Sequence, residues 1–163
     1  MIWAIIYITA VLAANYTATW FIPMPVFGLV ALGAVIFGVT FTARDYVHRL
    51  GRPRVYVMIV IAAWASMMLS VAGSVSWRIV LASTIAILLS ETADTEIYHR
   101  LLSKRWLVRV TGSNVVSIPL DTALFNVIAF LGVFAVPMLV AIMWGEIVVK
   151  FASGAVVALW RLR

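Results

Sequence analysis

Six apolar stretches, separated by short breaks rich in proline, glycine or charge, make up nearly the whole chain. They run over Ile2–Trp20, Val26–Ala43, Val55–Ala72, Ile79–Tyr98, Ser113–Phe134 and Val136–Trp160. Each is close to the ~20 residues that a helix needs to cross a bilayer. The pattern therefore predicts an all-α membrane protein, a single compact bundle of six transmembrane helices. Pro23 and Pro25 mark the first break, Gly51 and Pro53 the second, and Gly73 with Ser74 and Ser76 the third. The last two stretches meet near Gly132 and Pro137 without a charge between them, but their combined run is far too long for one span.

Composition sharpens this picture. Of 163 residues, 65% are hydrophobic and 11% charged, against about 25% charged in a soluble domain, so there is too little polar surface to coat a globule. The absence of cysteine excludes disulfides, thiolate metal sites and cysteine nucleophiles. A net charge of +6 would suggest nucleic acid in a soluble protein, but its distribution here follows the membrane. Arg44, Arg49, Arg52 and Arg54 follow the second stretch. Arg100, Lys104, Arg105 and Arg109 follow the fourth, and Lys150, Arg161 and Arg163 lie in or after the sixth. Only Arg78 falls on the other side. The positive-inside rule then puts both termini in the cytoplasm and the protein in the inner or plasma membrane. Basic loops of this kind set topology and touch anionic headgroups; recognition of a cytoplasmic partner is the sharper alternative. Met1 opens directly into apolar sequence, with no basic leader and no cleavage site, so the first stretch is expected to be retained.

Polar residues inside these stretches carry the candidate chemistry. Asn114, Ser117 and Asp121 are spaced by three and four and share a helical face. Pro119 on the same turn frees the carbonyl of residue 115. Glu91, Asp94 and Tyr98 form a second stripe, Asp45 closes the second stretch beside Arg44, and Asn15 is the strongly polar residue of the first. Glu146 and Lys150 are an i,i+4 pair able to neutralise itself within one helix. Bland explanations exist for several: Ser117 as an interhelical hydrogen-bonder, Asp45 and Glu96 as boundary charges, and His48 and His99 as lone histidines without a metal-ligand pattern. Asp121 is different. No basic residue lies within one turn, so a partner helix, a proton or a ligand must meet it, and intramembrane acids are functional candidates by default. Acids outnumber bases in the apolar zone, where Lys150 is the plausible cation. This suits a donor-rich ligand or a proton or cation relay, and suits an anion poorly. A carboxylate accepts two parallel N–H bonds from a guanidine-like edge, Asn114 or Asn15 can orient such a ligand, and Tyr98, Phe125 or Trp144 can stack on a flat ring. HExxH, GxSxG, a Gly-rich phosphate loop and the GxGD signature of membrane proteases are all absent, so an enzyme is not expected.

Four segments extend the reading: ANYTATW, FTARDYVHRLG, ETADTEIYHRL and SNVVSIPLDTALFNVIAF. In order and position they resemble the queuosine-precursor transporter family, grouped with vitamin-uptake-transporter-like proteins of six membrane helices. The matching positions are Asn15–Tyr16, Asp45 to Gly51, Asp94 with the following His-Arg-Leu, Asp121–Thr122 ahead of Ala129–Phe130, and Lys150. Glu91 stands where some members carry Gln, and Arg44 where a small or hydroxyl residue is common. The resemblance implies import of a deazaguanine base, the cyano or aminomethyl precursor of queuosine, by a bundle similar to the substrate-binding subunits of energy-coupling-factor transporters. In that setting Asp121 or Glu91 would take the guanidine edge, and Asn114, Asn15 and Ser117 would complete the substrate site. Asp94 paired with Lys150, together with Asp45, would couple binding to opening. No cofactor, metal or nucleic acid is implied. The expected partners are the base and the bilayer, and the small-residue face Gly28–Gly33–Gly38 could support either internal packing or a homodimer. The alternatives are a binding subunit that depends on a separate ATP-driven module, and a structural or regulatory membrane subunit without transport.

Overall fold

A computed structural model describes residues 2–26, 28–73 and 75–161. Met1, Ser74 and Arg163, used above to place the start, a break and a charge, lie outside them, as does the Arg161 side chain. The order is α1 (Ile2–Tyr16), β1 (Phe21–Met24), β2 (Gly28–Ala31), α2 (Leu32–His48), α3 (Arg52–Ala72), α4 (Trp77–Arg100), α5 (Trp106–Phe130) and α6 (Val136–Arg161). Three helical segments are long and apolar enough to cross a membrane, Arg52–Ala72, Trp106–Phe130 and Val136–Val157; α1 is apolar but has only 15 residues.

The helices close into a ring in which α1 packs on α2, α2 on α6, α6 on α5, α5 on α4, α4 on α3 and α3 back on α1. Polarity is inverted relative to a soluble protein. Outward positions carry Val57, Val60, Trp64, Val115, Val140 and Trp144, whereas Arg44, Glu91, Asp94, Asp121, Asn126 and Lys150 are buried. Lipid offers backbone and side-chain polar groups no partner, so such groups turn inward and satisfy one another. Arg78 follows the same logic at the ring's edge: its guanidinium donates to the carbonyls of Ile128 and Leu131, at the open end of α5.

Two departures from the sequence pattern matter for the interior. Phe21–Met24 and Gly28–Ala31 pair as antiparallel strands where the pattern placed a break and the start of the second helix, with Phe21 opposite Ala31 and Met24 opposite Gly28. Gly28 takes φ +73, a conformation that a side chain resists. Phe21 packs on Phe130 and Phe134, which ties the hairpin to the α5–α6 end. At its other end α2 continues five residues beyond the apolar run, so Arg44, Asp45 and His48 are helical and buried.

Glycine sets the spacing of the ring. A Cβ on Gly33 would lie 2.3 Å from the Ala14 carbonyl oxygen, and one on Gly38 would lie 2.6 Å from Ser153 Oγ and 2.8 Å from the Gly154 nitrogen. These two positions serve contacts within the chain, α1 on α2 and α2 on α6. Gly38→Ala is expected to destabilise the protein by about 1–3 kcal/mol, read as a lower unfolding temperature in detergent. Gly112→Ala meets only the flexible end of Leu101 and should cost less. Equal losses would count against backbone contact as the reason for Gly38.

Candidate functional site

The buried charges fall into two linked clusters. In the first, Arg44 of α2 reaches across to α4, donating from Nη1 to Glu91 Oε2 at 2.8 Å and pairing through Nη2 with Asp94 Oδ2 at 2.5 Å. Ser117 Oγ of α5 donates to Asp94 Oδ1 at 2.6 Å. Asp45 lies between Arg44, at 3.8 Å, and the Trp106 indole, and the fully buried Tyr7 hydroxyl sits beside Glu91. Three helices thus converge on one guanidinium, whose planar fork suits two carboxylates at once.

The second cluster is built on α5 and α6. Lys150 Nζ donates to Asp121 Oδ2 at 2.8 Å and to Thr122 Oγ1 at 2.9 Å, with Glu146 at 3.8 Å. Asn126 Nδ2 donates to Glu146 Oε2 at 2.8 Å, and Ser90 Oγ of α4 donates to Asp121 Oδ1 at 3.2 Å. The other oxygen of Glu146 has no hydrogen bond of normal geometry, with the Ala31 backbone amide of the hairpin as its neighbour. Adjacent residues on α4, Ser90 and Glu91, join the two clusters. α5 joins them again, one turn apart, through Ser117 and Asp121 and across its internal Pro119.

A cavity of about 40 Å³ lies against the second cluster in the middle of the ring. Asp121, Glu146, Lys150 and Asn15 are its polar walls, Phe37 and Phe125 its aromatic ones. Small residues, Ala14, Ala18, Gly33, Ala34 and Ala86, leave the space open, and Ala31 of β2 lines it from the hairpin side. Asn15 is held there by donating from Nδ2 to Ser66 Oγ of α3 at 2.7 Å.

Of the residues expected to bind substrate, Asp121 and Asn15 face this cavity, whereas Glu91, Asn114 and Ser117 do not line it; Glu91 and Ser117 belong to the Arg44 cluster. The expected Asp94–Lys150 pair does not form. Asp94 pairs with Arg44 and Lys150 with Asp121, because α2 inserts a second cation between α4 and its neighbours. Glu146 and Lys150 are in contact but not self-contained, since each has a closer partner elsewhere. Asp45 is buried rather than a solvated boundary charge, while Glu96 does pair at the edge, with Arg52 at 3.2 Å and with Tyr56. Trp144 points outward and cannot stack on a ligand inside.

Several residues of the site escaped sequence reasoning. Ser90, Thr122 and Asn126 carried no signal beyond ordinary polar helix positions, Tyr7 and Phe37 none beyond apolar packing, and two others were given the wrong role. Arg44 looked like a topology-setting arginine, but it follows Phe37 and Phe41 by seven and three, on the inward face of α2. Glu146 looked self-neutralised, and only the arrival of Asn126 from α5 shows otherwise.

Inverted polarity, a ring of apolar helices and a small charged cavity define a helical integral membrane protein with a buried polar centre. Residues 31–161 match a family described as "Putative vitamin uptake transporter". The chain belongs to that family, and its role is membrane transport. No curated protein and no solved structure matches it. Among the described residues no group of three or more His, Asp or Glu is placed to hold a metal.

Arg44→Met would leave Glu91 and Asp94 buried without a cation. It is expected to cost about 3–5 kcal/mol, measured by denaturant unfolding in detergent. The triple variant R44M/E91Q/D94N, which removes the charges together, should recover most of that loss. If single and triple variants are equally unstable, the pairing is not what Arg44 contributes.

Proposed function

We propose that the chain is an importer of a small flat base rich in N–H donors, of the deazaguanine class that includes the queuosine precursors. In this reading all six helices cross the cytoplasmic membrane, with both termini inside. The observation that carries it is the cavity between Glu146, Asp121, Lys150 and Asn15, walled by Phe37 and Phe125, in a chain of a vitamin-uptake family.

A guanine-type ring presents adjacent N1–H and N2–H₂ donors and an O6 acceptor. Glu146 is the best acceptor for the donor edge, since one of its oxygens is not already consumed. Asp121 is engaged by Lys150 and serves as its counter-charge, ready to exchange that partner for a ligand donor. Asn15, half-buried at the cavity wall, offers its amide to O6, and the two phenyl rings cover the faces. Glu91, Asn114 and Ser117 support the site from behind, and Asp94, Asp45 and Lys150 link it to the basic end of the bundle. The present cavity has room for about three water molecules, so a bicyclic base requires it to widen. The hairpin is the non-helical element at this wall, reaching the cavity through Ala31 and packing on α6 through β2 and on Phe130 through Phe21, and it is the element we expect to move.

The test is uptake in cells that lack both precursor synthesis and their own importer, read as queuosine in tRNA. Expression of this chain should restore it, and Glu146→Gln or Asp121→Asn should reduce initial uptake about tenfold or more at equal membrane abundance. Absence of queuosine with the protein present in the membrane would overturn the substrate assignment. Uptake by the purified chain in proteoliposomes separates a self-sufficient importer from a subunit that needs an ATP-driven module.

A further inference from the structure

Where α2 and α4 end and α3 and α5 begin, a second pocket of about 420 Å³ opens. It is formed by His48, Arg49 and Arg52 around the α2–α3 turn, His99 at the end of α4 and Arg109 in the first turn of α5. None of its lining residues is shared with the central cavity. Topology alone requires arginines at this end of the chain, but not their convergence on one concavity from separate helices.

The state of the individual groups points to a ligand. His48 is only 8% exposed, lines the pocket, and its Nε2 has no hydrogen-bond partner. The Arg109 Nε is likewise buried and unpartnered. Arg49 lies over the Tyr46 ring at 4.9 Å and Arg109 over the Tyr98 ring at 5.3 Å, and neither forms an ion pair among the described residues. Stacking fixes each guanidinium plane and leaves its N–H edges for an acceptor. Of the carboxylates nearby, Glu96 is engaged with Arg52 and Tyr56, while Asp45 lies 3.8 Å from Arg44 and beside the Trp106 indole, within electrostatic reach of Arg109. Gly51, at φ +111, makes the turn between Arg49 and Arg52 and is the N-cap of α3, which has no side-chain cap. The positive end of that helix therefore abuts the same pocket.

We propose that this pocket binds a phosphate-bearing anion, either the phosphodiester of an acidic lipid headgroup or a free phosphate. Arg49 and Arg109 supply charge-assisted N–H donors and His48 a further hydrogen bond from the pocket floor. His48 lies beyond the apolar stretch of α2. Burial, with His99 and Arg44 nearby, holds its imidazole down at about 4, so at neutral pH the arginines carry the charge and His48 contributes an uncharged N–H.

The full chain, purified in neutral detergent, would be followed by thermal unfolding in two titrations. One compares potassium phosphate with potassium chloride at equal ionic strength. The other compares short-chain phosphatidylglycerol with short-chain phosphatidylcholine. The expected result is a saturable rise in unfolding temperature with phosphate, with phosphatidylglycerol, or with both, the pattern identifying the source of the phosphate group. In R49K/R109K the half-saturation concentration should rise about tenfold. That variant preserves the positive charge that sets topology, so a purely topological role predicts no change. Should it not purify, His48→Ala in the same titrations is expected to weaken binding in the same direction. No saturable effect beyond the chloride and phosphatidylcholine controls, or unaltered half-saturation in the variant measured, would overturn the proposal.

Discussion

Ionised side chains buried in a bundle surrounded by lipid have nowhere to find partners but one another. Five buried carboxylates, Asp45, Glu91, Asp94, Asp121 and Glu146, share two buried cations, Arg44 and Lys150. Taking a charge out of water costs several kcal/mol even after relaxation, so a buried cation left without its carboxylates would strongly destabilise the bundle. That requirement fixes which helices meet. Arg44 joins α2 to α4, Lys150 joins α6 to α5, and the hydroxyls of Ser90 and Ser117 tie α4 and α5 to both clusters.

Close helix approach and an open centre are two consequences of the same choice of small residues. Gly33 and Gly38 let α2 reach the backbones of α1 and α6, and the alanines beside them leave space where a larger side chain would fill it. The cavity therefore sits beside the close contact of Gly33 on α2 with Ala14 on α1. Widening it for a ligand means displacing α2, α6 or the hairpin while keeping both cations paired, because an orphaned charge in this environment is costly. The excess of acids over cations supplies alternative partners along such a movement: Lys150 lies 2.8 Å from Asp121 and 3.8 Å from Glu146, and Arg44 has three carboxylates in range. The basic pocket at the far end is continuous with this network through Asp45 and His48, which share the last turns of α2 with Arg44.

Much of the fold was legible from the chain because hydrocarbon imposes a simple rule of length and apolarity, and the breaks at Gly51–Pro53 and Gly73 fall where helices stop. The hairpin was not: Phe21–Met24, with Pro23, read only as part of a break, and the apolar Gly28–Ala31 read as the start of the second helix. Their pairing with each other and the packing of Phe21 on Phe130 of α5 and on Phe134 ahead of α6 mark them as strands. Among the site residues, Asp121 stood out by having no local counter-charge. Arg44 and Glu146 were concealed by ordinary local explanations, a basic loop and an i,i+4 pair.

The sequence by itself determined the membrane class, the helical breaks and the acids that cannot be left alone in lipid, since these depend on local composition and spacing. Which acid meets which cation was decided only by the tertiary structure. Arg44 is four residues from His48 in the chain, yet its partners are Glu91 and Asp94 on another helix. Lys150 passes over a glutamate on its own helix for a closer bond to Asp121. Charge pairing acts through space at a few ångströms, and those distances exist only once the six helices have chosen their neighbours.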